Sequence, residues 1–386
     1  MLIKRLEVKG FKSLKDVVWE PGPLTILIGP NGSGKTNILK VLECLNFSAQ
    51  RTLEEYTHAN GGIYSILWDG SVNTTSILLT FPTAHNNSKN ILYGISLKQS
   101  NDLYNYFISN EYLFIVGNKK ESDCYINREN PNTAYIFQDN NHNKKEHLLP
   151  SPQESTLSQK FIRCDFIDEV RKILENISIH YCIETSSGNK IRQPLTARYQ
   201  KTLHRDGQNL VNVLHTLYSE NRDFENDINT AMRAAFGDDF DRLVFPPAAD
   251  QLVQLRIRWK SLRREQSMAD LSDGTIRFLF LMTVLCNPEP APLIAIDEPE
   301  TGLHPSMFPI IAEYAAEASK RTQVIFSTHS PQFLDAFSDF DVTTTVTSWQ
   351  DGETRIKNLD GNALKEWLTH YSLGTLFLSG DLEALA

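Results

Sequence analysis

Gly29-Pro30-Asn31-Gly32-Ser33-Gly34-Lys35-Thr36 fits G-x-x-x-x-G-K-[ST], the pattern of a phosphate-binding loop. Gly32 and Gly34 let backbone N–H groups close around an anionic oxygen, and a following helix N-terminus adds partial positive charge. Lys35 then reaches the β- and γ-phosphates of a nucleotide, and the Thr36 hydroxyl ligates Mg²⁺. A second cluster, Asp297-Glu298, ends the apolar run Leu293-Ile-Ala-Ile. Asp297 suits holding Mg²⁺ through water, and Glu298 suits orienting and deprotonating the attacking water. A third, Leu271-Ser272-Asp273-Gly274-Thr275, opens an apolar helical run and offers a second helix N-terminus to an anion. A fourth, Ser327-Thr328-His329-Ser330-Pro331, closes another apolar strand. In sequence with the other three, His329 reads as a γ-phosphate sensor. The ligands implied are a nucleotide with β- and γ-phosphates and Mg²⁺.

The elements that must position these groups follow from periodicity. Leu24-Thr-Ile-Leu-Ile28 is a short β-branched run suited to a buried parallel strand, and Asn37–Leu45 places apolar residues at helical spacing. Period two at the end of Leu293–Glu298 puts Asp297 and Glu298 on opposite sides of the chain. Residues 1–28 read as strands over Leu2–Lys9, Val17–Glu20 and Leu24–Ile28, with Gly10-Phe11-Lys12-Ser13 as a turn. From Ile63 to Ile136, alternating runs separated by Asn, Ser and Gly clusters predict antiparallel sheet, followed by a polar loop over Asp139–His147. Ser151–Ala249 reads as mainly helical, strongest over Thr156–Ile177 and Gln208–Phe236. The predicted division is an N-terminal lobe with a β-rich insertion over 1–150 and a mostly helical lobe over 151–270. The C-terminal part of the core then spans 271–350, and a tail spans 351–386.

The chain has 386 residues, 41% hydrophobic and 22% charged, which describes an ordinary globular protein of two or three domains, or of one large core carrying insertions. No run of eighteen apolar residues predicts a membrane span, and the N-terminus lacks a signal-peptide core. Five scattered cysteines form no C-x-x-C pair, which points to reduced thiols and a cytoplasmic location. A net charge of −9 excludes a globally basic nucleic-acid coat but not a local basic patch.

The order of Gly29–Thr36, Leu271–Thr275, Asp297-Glu298 and His329 resembles the ABC-type ATPase head, more narrowly the RecF/SMC-like ATPases of the AAA family that include relatives of the OLD proteins. The strings that carry the resemblance are Gly10-Phe11-Lys12-Ser13, Asp206-Gly207-Gln208-Asn209-Leu210, Asp297–Pro305 and Ser327–Pro331. It implies an α/β P-loop NTPase fold with a mixed sheet, an antiparallel β insertion and a helical lobe. It further implies Mg²⁺-dependent ATP hydrolysis, with Glu298, Lys35 and His329 catalytic. Asn31, Gly32, Ser33, Gly34, Lys35, Thr36 and Asn37 would hold the nucleotide, with Thr36, Asp297 and a Q-loop glutamine, assigned to Gln159, around the metal. By the same resemblance two copies pair head-to-tail around ATP. Ser272, Asp273 and Gly274 of one copy then grip the γ-phosphate held by Lys35 of the other. The sequence departs from the pattern in two places: Asp273 stands where transporters carry Gly, and His304 replaces an expected aspartate.

Three functions compete. The first is an ATP-driven switch acting on or near DNA, in repair, recombination or phage defence. The second is the ATPase subunit of an ABC membrane transporter. However, 242 positions separate Gly29 from Leu271, far more than a transporter head needs. The third is a self-contained OLD-type nuclease. Only 57 residues follow His329, too few for the Toprim domain such enzymes carry, so an effector is expected from a separately encoded partner. The candidate DNA contact is Arg256, Arg258 and Lys260 with Arg263 and Arg264, although pairing with neighbouring acids is the commoner fate of such a face.

Overall fold

The computed structural model describes residues 3–82, 89–102, 104–116, 123–137, 144–149, 151–160, 162, 164–248, 251–359 and 373–379. In chain order the first elements are β1 (Arg5–Phe11), β2 (Leu14–Trp19), β3 (Leu24–Ile28), α1 (Lys35–Gln50) and α2 (Leu53–Ala59). Six strands follow: β4 (Thr74–Pro82), β5 (Asn90–Gln99), β6 (Tyr106–Val116), β7 (Asp123–Asn130), β8 (Thr133–Phe137) and β9 (Lys144–Leu148). After α3 (Asp165–Glu175) come β10 (Ser178–His180), β11 (Leu195–Thr196), α4 (Leu210–Glu220) and α5 (Arg222–Phe236). Short strands β12 (Phe240–Val244), β13 (Pro247–Ala248), β14 (Leu252–Val253), β15 (Arg256–Trp259) and β16 (Gln266–Ser267) lead to α6 (Asp273–Leu285). The chain closes with β17 (Leu293–Asp297), α7 (Phe308–Ser319), β18 (Gln323–Thr328), α8 (Pro331–Asp335), β19 (Thr343–Gln350), β20 (Glu353–Asn358) and α9 (Leu373–Ser379).

These elements fall into two compact units, one of residues 1–177, 343–364 and 382–386, the other of 178–342 and 365–381. In the first unit an eight-stranded antiparallel sheet runs β2-β1-β4-β5-β6-β7-β8-β9. Its alternation is the sequence's own: Ile77, Leu79 and Phe81 of β4 are buried while Ser76, Leu78 and Thr80 are only half-buried. The buried strand β3 pairs in parallel with β19, which pairs antiparallel with β20. In the second unit β10, β17 and β18 are parallel, and Phe308, Phe326, Phe333 and Phe337 pack edge to face or tilted beneath them. There α9 docks on α8, with the Gly374 N–H donating to Asp335 at 2.5 Å.

The antiparallel insertion predicted over 63–136 is present. The polar loop predicted over 139–147 is a strand from Lys144 onward, and residues 139–143 lie outside the described set. Helix α3 begins at Asp165 rather than Thr156. The buried Glu111 carboxylate captures the Thr156 and Leu157 N–H groups at 2.6 and 3.1 Å, holding that stretch in turns. The helix predicted over 208–236 is two helices. Asn221 sits extended between them (φ −123°, ψ 109°), and its side chain caps Phe224 N at 2.9 Å.

Candidate active site

The phosphate-binding loop joins β3 to α1 in the first unit. Its shape depends on glycine: Gly32 has φ 82° and open space around it, whereas a Cβ on Gly34 (φ 103°) would lie 2.1 Å from Thr354 Oγ1. A Cβ on Gly29 would lie 2.2 Å from the Thr347 carbonyl, so the loop lies directly against β19. Ser33 Oγ meets Thr347 Oγ1 at 2.7 Å. Lys35 is buried and donates to the Gly29 and Pro30 carbonyls at 2.7 and 3.0 Å, folding its ammonium across the loop's own mouth. Asn31, Gly32 and Thr36 are exposed. Asn37 serves the loop's architecture, with its backbone N–H on Gly34 O at 3.0 Å and its amide on Ser13 Oγ at 2.7 Å.

The other clusters lie in the second unit. Asp297 ends β17, and its carboxylate accepts the Ser327 hydroxyl of β18. Glu298 takes a left-handed backbone (φ 48°), unusual for a non-glycine residue, pinned by its N–H on Ser327 O at 2.9 Å. That turn aims its carboxylate at His329 Nδ1, 3.0 Å away, with both side chains partly exposed. The neighbouring Glu300 is buried. Its Oε1 accepts the Thr328 hydroxyl at 2.5 Å, and its Oε2 has no hydrogen-bond partner. Burial raises its pKa, opposed by that hydrogen bond. Thr328 Oγ1 in turn accepts the Ser330 N–H at 2.9 Å, so the two residues flanking His329 are tied to Glu300.

Ser272 caps α6, its Oγ accepting Thr275 N at 3.1 Å, and both Ser272 and Asp273 are exposed. Asp273 accepts from Arg192 Nη2 at 2.5 Å. Gly274 approaches the loop after β17 so closely that a Cβ would lie 3.0 Å from Gly302 O.

The family model described as "AAA domain, putative AbiEii toxin, Type IV TA system" matches residues 24–335, spanning all four clusters. The chain belongs to this AAA family. Among curated proteins, the OLD nuclease of Thermus scotoductus (strain ATCC 700910 / SA-01) is 23% identical over 418 residues, covering 100% of this chain and 70% of the relative. Among solved structures, an Smc head bound to the C-winged helix domain of ScpA covers 95% of this chain and 100% of its own, at 16% identity and TM-score 0.59. An Smc head from Pyrococcus furiosus with an extended coiled coil, bound to the C-terminal domain of ScpA, covers 95% and 98% at 13% identity and TM-score 0.58. The chain therefore shares the mixed α/β fold of these Smc heads.

Its donor set fits a nucleoside triphosphate: an open glycine loop, a lysine at a helix start, and an exposed hydroxyl at Thr36. Among the described residues no group of three His, Cys, Asp or Glu side chains is placed to hold a metal. Mg²⁺ needs only one or two protein oxygens when phosphates supply the others. Gln159 is buried in a turn; its Nε2 donates to Glu154, Ser155 and Ser158, and its Oε1 has no hydrogen-bond partner. The amide oxygen, the atom a metal would take, is thus uncommitted but enclosed. On the predicted basic face of β15, Arg258 lies 3.7 Å from Asp241 and 3.8 Å from Glu265. No helix among the described residues is long and apolar enough to cross a membrane. Sequence reasoning missed Glu300 and Arg192. The signal for Glu300 was an acidic side chain two positions beyond Glu298, whereas Arg192 carried none.

Proposed function

We propose that the AAA protein is an ATP-driven switch whose two copies associate head-to-tail around ATP and separate on hydrolysis. Lys35 leaves its two carbonyls for the β- and γ-phosphate oxygens, an exchange of neutral acceptors for charged ones. Glu298 takes a proton from the attacking water. His329, hydrogen-bonded to Glu298, holds that carboxylate in place and presents its other ring nitrogen toward the terminal phosphate. Thr36, Asp297 and Gln159 are the residues that would hold Mg²⁺, which would supply charge neutralisation to the phosphate oxygens. Ser272 and Gly274 serve the nucleotide of the second copy, a role supported by the exposure of their turn.

The observation that carries this reading is the Glu298–His329 pair at 3.0 Å, a base and its orienting partner at adjoining strand ends. Glu298→Gln is expected to keep ATP affinity, to lower turnover about 10²- to 10⁴-fold, and to accumulate an ATP-held dimer in light scattering. Undiminished turnover would remove Glu298 from this role.

We place the switch in DNA repair, recombination or phage defence, coupled to a separately encoded effector. The family description, which names a type IV toxin–antitoxin system, supports the defence setting. ATPase rates measured with duplex, single-stranded and broken-end DNA test the DNA arm. Stimulation by none of them would favour a sensor that reads protein alone.

A further inference from the structure

Arg192 is a buried cation far from the proposed chemistry in sequence, yet both terminal nitrogens of its guanidinium serve the turn that opens α6. Nε donates to Thr185 O at 2.6 Å, and Nη1 faces the carbonyls of Met268, Ala269 and Leu271 at 3.2, 3.2 and 2.7 Å. Nη2 meets the Asp273 carboxylate at 2.5 Å. Arg192 is itself anchored: its N–H donates to Asn189 O at 3.1 Å, while the Asn189 side chain accepts from Ile191 N at 3.0 Å.

The turn needs such a brace. Leu271 and Ser272 enter the helix with extended backbones (ψ 149° and 153°), so no helical hydrogen bond holds the Leu271 carbonyl. A planar fork with several donors spans carbonyls and carboxylate at once, which a lysine ammonium does not. Asp273 presents a second problem. An acidic side chain beside a triphosphate repels it, yet the pairing with Arg192 neutralises the carboxylate and turns it toward the protein. The Arg192 hydrogen bond correspondingly holds the Asp273 carboxyl below the usual carboxylate range.

We propose that Arg192 and Asp273 form a brace that presents Ser272 and Gly274 to the nucleotide of a second copy, with Asp273 holding the turn rather than touching phosphate. Arg192 is thus a positioning residue, and the proposal rests on the head-to-tail reading above. It also accounts for an acidic residue where transporters carry glycine: the charge is a tether for the arginine.

The test uses the full chain in the Glu298→Gln background, reading ATP affinity by nucleotide fluorescence and ATP-driven dimerisation by light scattering. Asp273→Ala and Arg192→Lys are each expected to keep ATP affinity within about twofold, since the P-loop is untouched, and to weaken dimerisation about tenfold or more. The exposed Asp273 makes its variant safe for folding, and it decides the matter if Arg192→Lys does not fold. An Asp273 that faced phosphate would give the opposite sign, because its removal relieves repulsion and tightens the dimer. Unchanged or tighter dimerisation, or loss of ATP binding itself, overturns the brace while leaving the dimer standing. A Glu298→Gln parent that never dimerises with ATP overturns the head-to-tail reading, and the brace with it.

Discussion

Removing the Glu300 carboxylate tests whether the histidine strand end is held from beneath. In Glu300→Ala the Thr328 hydroxyl, fully buried, loses the acceptor it reaches at 2.5 Å. An unsatisfied buried hydroxyl costs about 1–3 kcal/mol, and the space left by the side chain adds about 1–2 kcal/mol. Thermal unfolding should therefore report a loss of about 2–5 kcal/mol. Because Thr328 Oγ1 also accepts the Ser330 N–H at 2.9 Å, both residues bracketing His329 loosen together. The expected kinetic signature is a fall in kcat of roughly 10- to 100-fold with little change in KM, since misplacement of a catalytic group acts on the chemical step. Glu300→Gln is the control. Its amide oxygen accepts the Thr328 hydroxyl, so kcat should stay within about threefold of wild type. The pH dependence has a definite sign. Burial raises the folded carboxyl pKa, with Glu298 adding to the rise and His329 opposing it. Wild type therefore loses stability as pH climbs from the unfolded value through the folded one, a loss that Glu300→Gln abolishes. Equal damage from Ala and Gln, or none from Ala, would refute the reasoning.

Other substitutions probe other joints. Gly34→Ala should abolish ATP binding in a fluorescence titration, because its Cβ falls 2.1 Å from Thr354 Oγ1 at φ 103°. His180 is fully buried, and burial lowers its pKa to about 4. It stays neutral in the fold but charges near pH 6.5 when unfolded, so stability should fall by of order 3 kcal/mol as pH drops from 6.5 to 4. The difference between wild type and His180→Gln in denaturant midpoints at pH 7 and 5 should show that slope vanish. Asn221→Ala removes the cap on Phe224 N and should cost about 1 kcal/mol in urea unfolding without changing kcat.

What was legible in the chain was whatever is local. The loop at Gly29–Thr36 is flanked at once by its own strand and helix, and Ser272 caps the helix it begins, so a short window holds the whole signal. What was illegible depends on distant partners. Ser33 packs on Thr347 across 314 positions, and Arg192 reaches Asp273 across 81, distances over which no periodicity speaks. The misread helix start at Thr156 has the same origin. Its apolar spacing suits a helix, but Glu111, 45 positions upstream, takes its N–H groups first. Tertiary hydrogen bonding overrode local propensity there.

The three carboxylates at the end of β17 show how environment divides labour among like groups. Asp297 faces the Ser327 hydroxyl, Glu298 is swung by its left-handed backbone onto His329, and Glu300 is driven inward onto Thr328. All three partners are consecutive residues of one neighbouring strand end. Ser327 and Thr328 are buried at the strand end, and His329, just beyond it, is exposed. The environments differ: Glu298 stays partly exposed beside His329, whereas Glu300 is buried against Thr328. The bend at Glu298 is what makes this division possible, since a straight strand would have sent Asp297 and Glu298 to opposite faces. A left-handed residue costs roughly 1 kcal/mol or more, and here that strain brings the Glu298 carboxylate within 3.0 Å of His329 Nδ1.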